Sequence, residues 1–244
     1  MSVNILVLAS SIKSGDQQGK KFCPSLAEFD GISILEKVIF NTRNIKENNF
    51  VFTGLESDLK FFKLENIISI LLPDANIIST NTRTAGSLCT ALLAASTLNQ
   101  DDELLIISMN ELVNIDYSNA LKNFRDNSYT GGVITFDSIN PRYSFARLEE
   151  SIVTEITQYD PISKHATTGS FWFKSTREFV ENAKLSILKG VSYEGSYYIA
   201  PVYNELILAD KCVGAYEIQG LNYYPLKNEV QLNALARRPE NGVQ

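Results

Sequence analysis

The chain has 244 residues, 44% of them hydrophobic and 20% charged, enough to bury a sizeable core in one large or two small domains. Its formal net charge of -6 excludes the basic footprint of a protein that binds a nucleic-acid polymer. A nucleotide is not excluded, because backbone amides and a few lysines hold phosphate in acidic proteins too.

Val3 to Ala9 is aliphatic and β-branched and reads as a first strand. It runs into a polar loop from Ser10 to Lys21 with small residues and three lysines, a place where backbone N–H groups cradle phosphates, although neither G-x-x-x-x-G-K-[ST] nor G-x-G-x-x-G is present. Asp30-Gly31 is a turn signal. Ser33 with Glu36 forms a capping box, and Ile34, Leu35, Val38 and Ile39 make one apolar helical face. Asn49–Thr53 reads as a second strand, Leu59–Leu72 as a helix ended by Pro73, and Asn76–Ser79 as a third strand. Strands alternating with helices predict a parallel sheet with right-handed crossovers.

Thr84-Ala85-Gly86-Ser87 opens another helix, with hydroxyls and a glycine at its N-terminus suited to an anion or a base. Leu104–Ser108 is the most apolar strand of the chain and reads as buried on both faces. A polar cluster follows at its carboxyl end, Asn110, Glu111, Asn114 and Asp116, where open α/β sheets bind ligands. A carboxylate pair there suits Mg²⁺, but the position nearest the strand is the amide of Asn110.

Beyond it the spacing predicts a helix over 118–125, a strand over 131–136, and a hairpin of 141–148 with 152–157 turning at Glu149-Glu150-Ser151. A strand over 168–173 carries Phe171, Trp172 and Phe173, expected in the core. Helices over 176–189, 205–209 and 230–237 and a strand over 213–218 complete the α+β second half. His165, the only histidine, falls in a polar loop between elements, where a structural or solvent role is expected. Arg142 and Arg147 suit carboxylate or phosphate equally, and the tyrosines around Tyr197 suit packing or sugar stacking equally.

Cys23, Cys89 and Cys212 are dispersed, with no C-x-x-C pair, which fits a reducing compartment, and each reads as a small buried apolar residue. No apolar run approaches the ~20 residues of a membrane span, and Met1-Ser2-Val3-Asn4 is not the start of a signal peptide, so a cytoplasmic location is expected. With no repeat, low-complexity tract or linker, residues 1–237 read as one domain and 238–244 as a frayed tail.

Four blocks, 84–94, 140–148, 160–169 and 197–207, follow one another in the order seen in the sugar-1-phosphate nucleotidyltransferase family, and the chain resembles its short bacterial branch of capsule and lipopolysaccharide biosynthesis. The resemblance spans Val3 to about Ala236. It implies a Rossmann-like α/β fold, a mixed and mainly parallel sheet flanked by helices, with an α+β insertion on the sugar side. It implies transfer of a nucleotidyl group from a nucleoside triphosphate to a sugar phosphate or similar phosphate, with release of pyrophosphate and Mg²⁺ as the metal. Leu8, Ala9, Ser10, Thr84, Gly86 and Ser108 would then contact the nucleotide, and Lys20 and Lys21 would act on the phosphates. Asn110, Glu111 and Asp116 would occupy the metal site, and Glu155, Gly169, Tyr198 and Asn204 the sugar side. A homo-oligomer is left open.

The chain departs from the family pattern at positions of chemistry. Ser10-Ser11-Ile12-Lys13-Ser14-Gly15 replaces a glycine- and arginine-bearing loop, and Pro24-Ser25 a Lys-Pro pair. Met109-Asn110 replaces Gly-Asp, Asn114 an Asp, Gln158-Tyr159 a Glu-Lys, and Lys227-Asn228-Glu229 a late acid-bearing turn. Three readings follow: a nucleotidyltransferase, a pseudoenzyme that keeps the nucleotide pocket, or a glycosyltransferase-like protein, for which Asn114-Ile115-Asp116 is the nearest thing to Asp-x-Asp.

Overall fold

The computed structural model describes residues 2–9, 12–13 and 21–236. Among them, a nine-stranded sheet forms the middle layer. Its centre is the Val3–Leu8 strand, which pairs in parallel with Glu103–Ser108 on one edge and Asn48–Leu55 on the other. Asn76–Thr80 extends the parallel part beyond Asn48–Leu55. Alternation sends Val3, Ile5 and Val7 to one hydrophobic cluster and Leu6 and Leu8 to the other, so an unbroken aliphatic run is what a strand covered on both faces requires.

Helices Ile34–Thr42, Leu64–Leu71, Tyr117–Asp126 and Glu229–Ala236 cover the first face. Ser87–Ala95, Thr176–Leu188 and Tyr203–Leu208 cover the second. Among the described residues no helix is long and apolar enough to cross a membrane.

The second half of the sheet is largely antiparallel and hangs on the His165–Phe173 strand. One edge of that strand is shared by two partners: Ser170–Phe173 pairs with Glu103–Ser108, whereas Ala166 and Thr167 pair with Ser144–Glu149. Its other edge carries Gly131–Asp137. On the shared edge, Thr168 and Gly169 lie between the two ladders, and there the sheet opens into a cleft.

The capping box is formed: the Ser33 hydroxyl accepts from Glu36 N, and Ser33 N donates to the Glu36 carboxylate. Asp30 and Gly31 both take positive φ and turn the Glu28–Phe29 strand into Ile32–Ser33.

Several expectations are corrected. The helix expected over 59–72 is two, Glu56–Phe61 and Leu64–Leu71, interrupted where Lys63 takes a left-handed φ of 54°. One continuous helix would swing Leu59 about 140° from Leu64, and the break returns both to the same core. The polar stretch after Ser108 contains a short strand, Glu111–Val113, paired with Tyr223–Pro225 and held from the Ile34–Thr42 helix by Asn41 Nδ2 on Val113 O at 3.0 Å. The 141–148 strand starts only at Ser144, because Asn140 closes a turn onto Arg142 N and Tyr143 N. His165 is in the strand rather than a loop, opposite Asp137. Cys23 is buried as expected, but Cys89 is half-buried and Cys212 exposed.

At the N-terminal end of the central strands, Glu103 is 6% exposed and joins three elements. Its carboxylate accepts from Arg125 Nε and Nη2, both at 2.8 Å, and from Trp172 Nε1 at 2.9 Å. Trp172 stacks on Phe124 at 5.4 Å between ring centroids. Replacing Glu103 with Ala strands the indole N–H inside the core, and urea unfolding is expected to show a loss of about 2–3 kcal/mol.

Candidate functional site

Two adjoining chambers open at the carboxyl ends of the parallel strands. The larger has a volume of about 410 Å³ and the smaller about 290 Å³. Both are lined by Leu8, Ser87, Ser108 and Asn110, so these four residues mark the junction. Leu8 and Ser108 are register partners in neighbouring strands, and the junction therefore sits where Val3–Leu8 and Glu103–Ser108 end together.

The smaller chamber is walled by Ala9, Gly54, Asp58, Arg83, Thr84 and Gly86. The Ser87–Ala95 helix starts at the junction after Gly86, whose φ of 119° suits only glycine. A Cβ there would also collide with the Tyr197 backbone. That close approach lets Tyr197 N donate to Ala85 O at 2.7 Å and Leu88 N donate to Tyr197 O at 3.2 Å. The tyrosine segment is thus clipped to the helix start, which places Tyr198 in the wall of the larger chamber.

The larger chamber occupies the opening in the sheet. Gly169 fits there because a Cβ would lie 2.8 Å from Ser108 Cβ and 3.1 Å from Glu111 Oε1. Glu111 is 5% exposed; its Oε1 accepts from Gly169 N and its Oε2 from the Tyr223 hydroxyl at 2.8 Å. Burial pushes its carboxyl above the ordinary 4.5, against the opposing pull of Lys227, the Gly169 amide and Tyr223. Leu226 N donates to Asn110 O at 2.7 Å, continuing the Glu111–Val113 pairing and delivering Lys227 to the chamber. Arg142 enters from the opposite side, bonded through Nη2 to the Tyr143 hydroxyl at 2.8 Å. Tyr159 stands at a positive φ of 61° with its ring edge-on to Tyr198, 5.4 Å between centroids. A tyrosine in that backbone region is strained, as side chains at binding sites often are.

The structure brings most of the expected residues together. Leu8, Ser108 and Asn110 are at the junction, Ala9, Thr84 and Gly86 in the small chamber, and Glu111, Gly169 and Tyr198 in the large one. Ser10, Lys20 and the 238–244 tail lie outside the described residues. Lys21 is ion-paired at 2.6 Å with Asp58, which itself lines the small chamber.

Lys21 itself lines neither chamber, and three more expected residues do not either. Asp116 caps the Tyr117–Asp126 helix, its Oδ1 accepting from Ser118 N at 3.0 Å and its Oδ2 from Asn44 Nδ2 at 2.7 Å. Burial works to raise its pKa, but these bonds and the Arg43 charge hold it below the usual carboxylate value. Glu155 is ion-paired with Arg147 at 3.0 Å on an exposed strand face. Asn204 clamps the backbone of Ile156 with both amide atoms, at 2.9 and 2.7 Å.

Conversely, the cleft includes Arg83, Ser144, Thr167 and Thr168, none given a site role from sequence, and Lys227, noted there only as part of a departure from the family pattern. The two carboxylates that line the cleft, Asp58 and Glu111, are already engaged, and the side chain at the junction is an amide. Mg²⁺ favours one or two carboxylates in near-octahedral geometry, and the described residues do not fit it at the junction.

No family model and no curated protein sequence matches the chain. Solved structures do match. The nucleoside-diphosphate-sugar pyrophosphorylase from Vibrio cholerae RC9 superposes with a TM-score of 0.76 at 19% identity, over 96% of this chain and 100% of that one. A putative glucose-1-phosphate thymidylyltransferase from Bacillus anthracis gives 0.69 at 16% identity, over 99% and 98%. The inositol-1-phosphate CTP transferase from T. maritima gives 0.69 at 13% identity, over 96% and 95%. The chain thus has the fold of these proteins, a mixed α/β sheet flanked by helices.

The burial of Glu111 has a measurable consequence. A carboxyl whose pKa is raised on folding contributes stability that is fully present below its ordinary 4.5 and is lost as pH rises through its folded value. The stability of the wild type relative to Glu111→Gln is therefore expected to decline from acid towards neutral pH in urea titrations. A difference that grows with pH would contradict a carboxyl whose pKa is raised by burial.

Proposed function

We propose that the chain is a nucleotidyltransferase that holds a nucleoside triphosphate in the smaller chamber and a phosphorylated sugar, or a similar small phosphate, in the larger one. The observation that carries this reading is the meeting of two chambers at Leu8, Ser87, Ser108 and Asn110, beside the N-terminus of the Ser87–Ala95 helix. An α-phosphate seated at the junction would face the helix N-terminus on one side and the second ligand on the other, which is the arrangement an in-line displacement needs. Thr84 and Gly86 line the small chamber, with the Thr84 hydroxyl donating to Gly86 O and fixing the turn a nucleobase would lie against, and the Tyr159–Tyr198 pair offers a sugar two aromatic walls. The solved proteins of the same fold carry names of this chemistry, nucleoside-diphosphate-sugar pyrophosphorylase among them.

The sequence resemblance extends the reading to building blocks of a bacterial surface polysaccharide. A nucleoside triphosphate as co-substrate fits a cytoplasmic site of action.

A second reading, a pseudoenzyme that binds both ligands without transfer, is favoured by one observation. The junction presents the Asn110 amide, and the neighbouring Glu111 carboxyl is spent on Gly169 and Tyr223.

Two measurements test the proposal. Calorimetric titration with the common nucleoside triphosphates is expected to find at least one that binds, and Thr84→Trp, which fills the small chamber, is expected to weaken it about tenfold or more, about 1.4 kcal/mol. Pyrophosphate release with a panel of sugar phosphates then separates the two readings: turnover supports the transferase, and binding with no turnover on any acceptor supports the pseudoenzyme. Absence of nucleotide binding would remove both.

A further inference from the structure

The cleft is charged against the trend of the molecule. The whole chain carries a formal net charge of -6, yet the side chains that line the two chambers include three cations, Arg83, Arg142 and Lys227. The two carboxylates among them are taken. Asp58 is ion-paired with Lys21, and Glu111 is buried with both oxygens hydrogen-bonded.

Arg142 and Lys227 reach the larger chamber from segments 85 residues apart in the chain, by separate structural devices. Arg142 follows the Asn140 turn, with its guanidinium 4.9 Å from the Tyr143 ring centre and Nη2 on the Tyr143 hydroxyl. Lys227 follows the Tyr223–Pro225 strand, with Nζ 5.5 Å from the same ring. The same tyrosine ring thus lies against both cations. Tyr143 is itself fixed, edge-on to Phe136 at 5.1 Å and to Tyr223 at 5.6 Å.

Resting on the proposed reading of the larger chamber, we propose that this chamber binds the phosphate of its ligand without a divalent metal, with Arg142 and Lys227 supplying the positive charge. A phosphate monoester carries nearly two negative charges at neutral pH, and two side-chain cations match it. The guanidinium offers paired donors to two phosphate oxygens, and the ammonium acts as a point charge beside the third. Neither group needs a carboxylate to hold it in place, as a bound Mg²⁺ would. The amide of Asn110 at the junction agrees with this assignment, since an uncharged side chain there adds no negative charge to compete with the phosphate for the two cations.

The test uses the full chain and inorganic phosphate as the probe, followed by phosphorus NMR titration in EDTA and again in millimolar Mg²⁺. The expected result is the same affinity in both, within about twofold, with Arg142→Gln and Lys227→Gln each weakening it about tenfold, about 1.4 kcal/mol. Lys227→Arg keeps the charge and is expected to retain binding. Both side chains are exposed, so these variants are expected to fold, and circular dichroism checks that they do. Phosphate binding that requires Mg²⁺, binding that survives both substitutions unchanged, or no phosphate binding at all would each overturn the proposal. Nucleotide titration of the same variants distinguishes its failure from failure of the functional reading. Loss of nucleotide binding in the wild type removes that reading, whereas intact nucleotide binding with a failed phosphate result removes only the metal-free clamp.

Discussion

The cleft depends on how Glu111 is used. The sheet opens where the His165–Phe173 strand changes partner along one edge, and an opened sheet leaves backbone donors exposed to an apolar interior. Glu111 reaches back to satisfy one of them, Gly169 N, and with its other oxygen takes the Tyr223 hydroxyl. The same side chain thus ties the end of the central strand, the antiparallel half of the sheet and the late Tyr223–Pro225 strand. Burial makes this costly for a carboxylate, which is why its pKa is driven up. A group so committed is a structural keystone, and the metal-site role expected for it is physically at odds with that commitment.

From this constraint the chemistry of the cleft follows. With Glu111 sealed and Asp116 turned to cap a helix, the negative charge expected at the strand end is withdrawn from the chambers. What remains there is the Asn110 amide, backbone, hydroxyls and cations carried on loops. Such a site attracts small phosphates, while the net charge of -6 over the whole chain repels long polyanions.

Much of the fold was legible because it is encoded locally. The aliphatic runs Val3–Leu8 and Leu104–Ser108 announce strands covered on both faces, and Ser33 with Glu36 announces the helix they cap. The Thr84–Ser87 turn was legible for the same reason, since its glycine and hydroxyls mark a helix start with a special backbone. What escaped is non-local. The pairing of Glu111–Val113 with Tyr223–Pro225 joins segments 112 residues apart, each too short for any period to show, and it alone carries Lys227 to the cleft. The break at Lys63 escaped because periodicity within 56–71 is helical on both sides, and only the shared core demands the kink. Glu155 and Asn204 were expected at the cleft from the family resemblance, and Asp116 from the polar cluster that follows the Leu104–Ser108 strand. Competing local partners, a helix N-terminus, Arg147 and the Ile156 backbone, claim them instead.

Fixed side-chain cations and a metal ion are not equivalent in what they do to a reaction. A metal bridging the reacting phosphates gains contact as charge develops on the leaving oxygens, and so lowers the barrier. On the proposed reading, the phosphate held by Arg142 and Lys227 in the large chamber is the nucleophile, and it loses negative charge as one of its oxygens bonds to the α-phosphorus. The attraction of the two cations is then no stronger in the transition state than in the bound complex, so it holds a ligand without accelerating its conversion. For this cleft to transfer a nucleotidyl group, charge growing at the junction must be met there by groups beside Ser87 and Asn110: the helix N-terminus, the amide and the backbone N–H groups around them. On the proposed reading, affinity and turnover thus fall to different parts of one cleft, the first to the cations of the large chamber and the second to the junction. Those neutral dipoles, with the Arg83 guanidinium in the small chamber, are the described groups placed to meet the growing charge, and how well they are aimed would set the rate.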